Sequence, residues 1–173
     1  KLGKLIYLYD ANNICLDGPT CMVFTDDVRL RYESCGWHVL QVDDGNHDLD
    51  AIDDAITQAK LETQQPSLII VKTTIGFGAP KKAGTSGAHG APLGAAEVRG
   101  LKQAFGVDPE RQFAVDDDVA SHFASIRQAG DAAFAAWERR HTAYAKAEPD
   151  LARQLTDAMA GHLPAGWDAA LPV

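Results

Sequence analysis

The chain has 173 residues, of which 46% are hydrophobic. That suits one domain, or a domain with an appendage, and excludes a disordered chain. A net charge of −8 and a pI near 5.1 argue against a nucleic-acid surface, since the only dense basic spots are Lys81-Lys82 and Arg139-Arg140.

No apolar run approaches the roughly 18–20 residues of a membrane span, so a membrane is not an expected partner. The three cysteines, Cys15, Cys21 and Cys35, are odd in number and lack metal-site spacing. They read as free thiols of a reducing cytoplasm. The chain opens on Lys1-Leu2-Gly3-Lys4 without a Met and runs straight into apolar residues. That start gives the expectation of a fragment of a longer protein.

Leu5-Ile6-Tyr7-Leu8-Tyr9 is a compact apolar run and predicts a buried strand. Residues 10–19 read as a loop, with Asn12-Asn13 and Asp17-Gly18 as turn signals. Thr25-Asp26-Asp27 can cap a helix starting near Val28 and closed by Gly36, and residues 37–42 read as a second strand. Asp48 can cap the next helix, in which Leu49, Ile52, Ala55, Ile56 and Ala59 share one face. After Gln65-Pro66, the run Leu68-Ile69-Ile70-Val71 predicts a third strand. Strands alternating with helices at this spacing predict an α/β fold with a parallel sheet and flanking helices.

Residues 73–94 hold six glycines and two prolines, and so long a connection is usually functional or disordered. Both long loops leave strands at one edge of the predicted sheet, where sites of parallel sheets gather. Residues 95–105 predict a short helix ending at Gly106. A long helix follows Asp116-Asp117-Asp118, weakened at Gly130 and stopped by Pro149. A last helix covers 150–160, and the apolar tail Leu163-Pro164-Ala165-Gly166-Trp167 is expected to pack on something. The domain boundary is expected at 110/111, with 1–110 forming an α/β portion and 111–173 a helical linker.

Three loop motifs bear on chemistry. In Asp10-Ala11-Asn12-Asn13-Ile14, an Asn amide oxygen and a backbone carbonyl suit a hard cation such as Mg²⁺. Read alone, a turn chosen for its backbone geometry is the stronger reading. In Lys72-Thr73-Thr74-Ile75-Gly76-Phe77-Gly78, glycines after a strand let backbone approach a phosphate, although the pattern is neither GxGxxG nor a Walker loop. In His89-Gly90-Ala91-Pro92-Leu93-Gly94, an imidazole could donate to a diphosphate or exchange a proton, and a solvated loop His fits as well. His38, His122, His141 and His162 read as surface or packing residues, with His47 open. Runs such as Asp43-Asp44 and Asp116-Asp117-Asp118 read as solvated caps.

Together these motifs go further. The stretch LIYLYDANNICLD (5–17), Phe24-Thr25-Asp26-Asp27, Gly36-Trp37-His38-Val39, PSLIIVKTTIGFGAPKKAGTSGAHGAPLG (66–94) and LPAGWDAALP (163–172) resemble the transketolase family, in order and over essentially the whole chain. The resemblance implies the later part of the thiamine-diphosphate-binding domain, with thiamine diphosphate and Mg²⁺ (or Ca²⁺) as cofactors. It implies that Asn12 binds the metal by its side chain and touches the diphosphate, and that Ile14 gives its backbone carbonyl to the metal. It places Ile75 near the thiazolium ring, and His89 at the diphosphate and the reacting end of the substrate, where it orients the donor hydroxyl. The implied reaction passes a two-carbon ketol unit from a ketose phosphate to an aldose phosphate, in the pentose phosphate pathway. Its partners would be sugar phosphates, the remainder of the polypeptide and a second subunit of a homodimer. Other implied site residues lie outside this chain, so the piece alone is expected to be inactive. Dihydroxyacetone synthase and deoxyxylulose-phosphate synthase share this domain and are alternative readings. A non-catalytic assembly module using Phe134, Trp137 and Tyr144 is another.

Overall fold

The structure is a computed structural model and describes residues 2–171. Lys1 and Pro172, which belong to two of the motifs above, lie outside the described residues. The chain divides into two compact units, Lys1–Gln112 and Phe113–Val173.

The first unit is built on three parallel strands in the order β1-β3-β2: β1 is Ile6–Ala11, β2 is His38–Val42 and β3 is Ser67–Lys72. Ile6 to Ala11 pair in register with Ser67 to Lys72, and His38 to Val42 with Ser67 to Val71. Both neighbours therefore end beside the end of β3. β3 is central because its run of β-branched residues can be covered on both faces, and residues 67–71 are all buried. Helix α1 (Val28–Ser34) starts where Asp27 accepts the Leu30 amide at 3.0 Å. Helix α2 (Leu49–Leu61) starts where Asp48 accepts the Ala51 amide at 2.9 Å. Both are caps that the sequence predicts.

The core is one face of the sheet under α2: Val42, Ile69 and Val71 with Ala55 and Ala59, flanked by Ile6, Leu40, Ala51, Ile52 and Ile56. Two expectations need correction. Leu49 opens the apolar stripe of α2 but, as the first residue of the helix, is exposed. β1 forms as a strand but is not buried: Tyr7 and Leu8 are half exposed, because β1 lies at the sheet edge while α2 covers chiefly β2 and β3. Tyr7 meets Trp37 at 5.6 Å, and Trp37 meets Tyr32 edge-on at 5.0 Å.

Residues 73–94 form a chain of tight turns with one 3-10 turn at Ser86–Ala88, and lead into α3 (Ala95–Ala104). The second unit contains α4 (Asp117–Ala147) and α5 (Pro149–Met159). α4 runs unbroken through Gly130, where helix on both sides carries the one weak position. Pro149 begins α5 at its first turn, where its missing N–H removes no hydrogen bond. Ala152 is buried between α5 and α4. The apolar tail is exposed, with Leu163 and Trp167 open to solvent. Among the described residues no helix is long and apolar enough to cross a membrane.

Candidate functional site

All three strands run the same way, so their three exit loops meet at one edge of the sheet. The first loop, after β1, is shaped by its asparagines. Asn13 adopts φ 61°, a conformation that Asn tolerates better than most residues. Asn12 Oδ1 accepts the Ile14 N–H at 3.0 Å, and Asn12 Nδ2 donates to Asp10 Oδ2 at 3.4 Å. A carboxylate accepts only, so Asp10 decides which end of the Asn12 amide faces away from it. Beyond that point the loop is a tight antiparallel turn: Thr20 N–H donates to Asn13 O at 2.9 Å and Cys15 N–H to Gly18 O at 2.7 Å. These bonds make Ile14 and Pro19 a non-hydrogen-bonded pair, so the N–H and carbonyl of Ile14 both turn away from Pro19. The Ile14 N–H turns to Asn12 Oδ1. The Asn12 amide oxygen and the Ile14 carbonyl therefore share a side.

The third loop, after β3, is fastened by consecutive threonines to the end of β1 and to the turn after β2. Thr73 Oγ1 donates to Asp10 Oδ1, tying this loop to the end of β1, which runs two residues into the predicted loop 10–19 because Asp10 and Ala11 pair with Val71 and Lys72. Thr74 is bound through its N–H and its hydroxyl to Asn46, in the turn after β2. Ile75 follows, half-buried, with its carbonyl accepting the Gly84 N–H at 2.8 Å. Gly78 has φ 88°, and a Cβ there would lie 2.7 Å from Phe105 and 2.9 Å from Leu101, so only glycine lets the loop lie on α3. Helix α3 also holds the loop by polar contact: Glu97 Oε2 accepts the Lys81 and Lys82 amides at 3.0 and 3.2 Å.

His89 closes the 3-10 turn, its N–H donating to Ser86 O at 3.0 Å, and its side chain is exposed. Its neighbours locate it. A methyl at Gly90 would come within 3.3 Å of Leu16 Cδ1 of the first loop, and one at Gly76 within 3.0 Å of Ala88 Cβ. The His89 turn thus lies against both the Asn12 loop and the glycine loop. Asn12, Ile14, Ile75 and His89, the four residues singled out in the sequence, stand on loops in mutual contact at the carboxyl edge. Among the described residues no three His, Cys, Asp or Glu side chains converge to hold a metal.

The sequence missed several members of this edge. Asp10, Thr73, Thr74 and Asn46 act across 28 to 63 residues of chain, a separation that local pattern does not carry. His47, left open above, has its ring nitrogen 3.0 Å from Asp44 Oδ2 and meets Phe77 edge-on at 5.0 Å. That hydrogen bond is the main reason the Asp44 carboxyl titrates below its ordinary value. His38 is a packing residue, as expected, with Nδ1 3.1 Å from Ser67 Oγ.

Residues 1–164 match the family described as "Transketolase, thiamine diphosphate binding domain". The chain is 47% identical over 174 aligned residues to a transketolase of Geobacillus stearothermophilus, covering all of this chain and 26% of that protein. It is 44% identical to transketolase 1 of Saccharomyces cerevisiae, over 99% of this chain and 25% of that one. The solved transketolase of Leishmania mexicana superposes with a TM-score of 0.85 at 39% identity, over 99% of this chain and 26% of that one. The transketolase of Pichia stipitis in complex with sedoheptulose 7-phosphate superposes with a TM-score of 0.82 at 41% identity. The chain spans about a quarter of the length of these relatives. With its parallel sheet, its loop edge and its full length all matched, the chain belongs to the transketolase family, within that family's thiamine diphosphate binding domain.

Proposed function

We propose that this protein is the diphosphate- and metal-holding part of an enzyme that moves a two-carbon ketol unit from a ketose phosphate to an aldose phosphate, in the pentose phosphate pathway. It would work as a homodimer, with residues 111–173 linking it to further polypeptide. One observation carries the proposal: the His89 turn lies against the Asn12 loop through Gly90 and Leu16, and against the glycine loop through Ala88 and Gly76.

The donors suit Mg²⁺, or Ca²⁺. Asn12 Oδ1 and the Ile14 carbonyl are neutral, hard oxygens turned to one side of the loop. An amide oxygen has two lone pairs, so accepting the Ile14 N–H leaves one for a cation. Asn12 Oδ1 and the Ile14 carbonyl would hold the cation from the protein side, and its remaining ligands would be supplied from elsewhere. Asn12 would also touch the diphosphate, and Ile75 would lie beside the thiazolium ring. His89, exposed at the mouth of this edge, would donate one ring N–H to the diphosphate, orient the donor hydroxyl and carry a proton to or from it. When bound, thiamine diphosphate supplies the carbanion and the electron sink that break the donor's C2–C3 bond.

The test is calorimetric titration of the metal-free, full-length protein with thiamine diphosphate, with and without Mg²⁺. Expected are uptake that needs Mg²⁺ and a loss of affinity of at least about ten-fold in Asn12→Ala, since a hard ligand is removed. An assembly module would take up no cofactor, and Asn12→Ala would then change nothing; either result would overturn the proposal.

A further inference from the structure

We infer that Asn46, in the turn after β2, is a positioning residue that sets Ile75 and the glycine loop in place for cofactor binding. The inference rests on the reading of that loop as part of the cofactor site. The Asn46 amide grips one residue at two points: Oδ1 accepts the Thr74 N–H at 3.1 Å, and Nδ2 donates to Thr74 Oγ1 at 3.1 Å. Both bonds are partly buried, so water competes for them less than at an open surface. The two bonds also fix the amide, because its oxygen faces a donor and its NH₂ an acceptor.

The turn that carries Asn46 is itself set hard against β3. Gly45 N–H donates to the Lys72 carbonyl at 2.7 Å. A Cβ at Gly45 would lie 2.4 Å from Val71 Cγ1 and 3.0 Å from the Lys72 oxygen. The Asp44 carboxylate closes the turn, accepting the Asn46 N–H at 3.1 Å and the His47 N–H at 3.2 Å. The ring of His47 then meets Phe77, which also meets the ring of Phe105, the residue that caps the end of α3, at 5.9 Å. Thr74 and Phe77 are thus both held from the β2 turn, and Ile75 lies between them. With Asn46 truncated, the Thr74 amide loses its partner and the segment can drift. A ligand must then order the loop as it binds, which costs affinity.

The test uses the full-length protein and two readouts. Hydrogen exchange followed by mass spectrometry reads the backbone of residues 73–78, and calorimetry reads the affinity for thiamine diphosphate with Mg²⁺. Asn46→Ala is expected to speed exchange in 73–78 several-fold while β3 stays protected, and to weaken cofactor binding about ten-fold. The kinetic change should fall on KM for the cofactor rather than on kcat. Thr74→Val, which keeps the N–H bond and loses the hydroxyl bond, should show a smaller loss, and Thr74→Ser should recover it. Wild-type exchange and affinity in Asn46→Ala would overturn the role, and so would a loss accompanied by loosening of the whole sheet. Wild-type protein that takes up no thiamine diphosphate would overturn the site reading and this inference together.

Discussion

Asp43 and Lys72 stand where β2 and β3 give way to their loops. Lys72 Nζ donates to Asp43 Oδ1 at 2.6 Å, and Gln41 Nε2 reaches the same oxygen at 2.6 Å. The Lys72 hydrogen bond, followed by that from Gln41, holds the Asp43 carboxyl below its usual 3.8. A carboxylate depressed in the fold adds stability that is present above 3.8 and is lost as pH falls through the lower, folded value. The pair is exposed, so the stabilisation is small and the titration is the better readout. In Lys72→Met, the Asp43 carboxyl followed by NMR should move up toward 3.8; a position unchanged from wild type would show that Lys72 is not its main partner. From the sequence, Asp43-Asp44 reads as a solvated cap. Both carboxylates are exposed and Asp44 caps the turn through the Asn46 and His47 amides, but the partner of Asp43, 29 residues away, is not a local signal. The partner of Asp44, His47, is close in the chain but meets it only because the turn closes at Gly45.

At the scale of elements, β3 and α2 carry the stability. Ile69 is fully buried at the centre of the core, whereas Leu49 of α2 is 69% exposed. Ile69→Ala in the full-length protein should cost about 2–5 kcal/mol. Leu49→Ala should stay within about 0.5 kcal/mol. Thermal or urea unfolding of the two variants checks both, and equal losses would contradict the placement of α2. Every strand and α-helix of the first unit was legible in the sequence, because apolar runs, a period of 3.6 and the caps at Asp27 and Asp48 are local signals, whereas the 3-10 turns Thr20–Met22 and Ser86–Ala88 were not. The burial of β1 was not legible. An apolar run looks the same in a central strand as at an edge, and only the order β1-β3-β2 separates the two. The loops of the candidate site were legible one by one, through the motifs that hold Asn12, Ile14, Ile75 and His89. The threonine and asparagine ties that hold those loops together were not.

For the molecule as a whole, the exposed residues are as informative as the core. Tyr7 and Leu8 on β1, Phe123, Phe134 and Trp137 on α4, and Trp167 in the tail are large apolar side chains open to solvent. The chain, a quarter of the length of its relatives, holds the Asn12, glycine and His89 loops, but among its described residues no three His, Cys, Asp or Glu side chains converge to hold a metal. The isolated 173-residue chain is therefore expected to carry out no ketol transfer in a coupled assay with thiamine diphosphate and Mg²⁺; measurable turnover would refute this. The strand order also dictates a history. β3 is the partner of both other strands, and it is the last of the three in the chain. β2 meets it across a loop of about thirty residues and β1 across about sixty, so β2 has the lower closure entropy. Of these three strands β1 is made first, and its pairing with β3 must wait until β3 is made. Pulse-labelled refolding should find β2 and β3 protected before β1. Of these three strands, the first to be made would then be the last to become safe from aggregation.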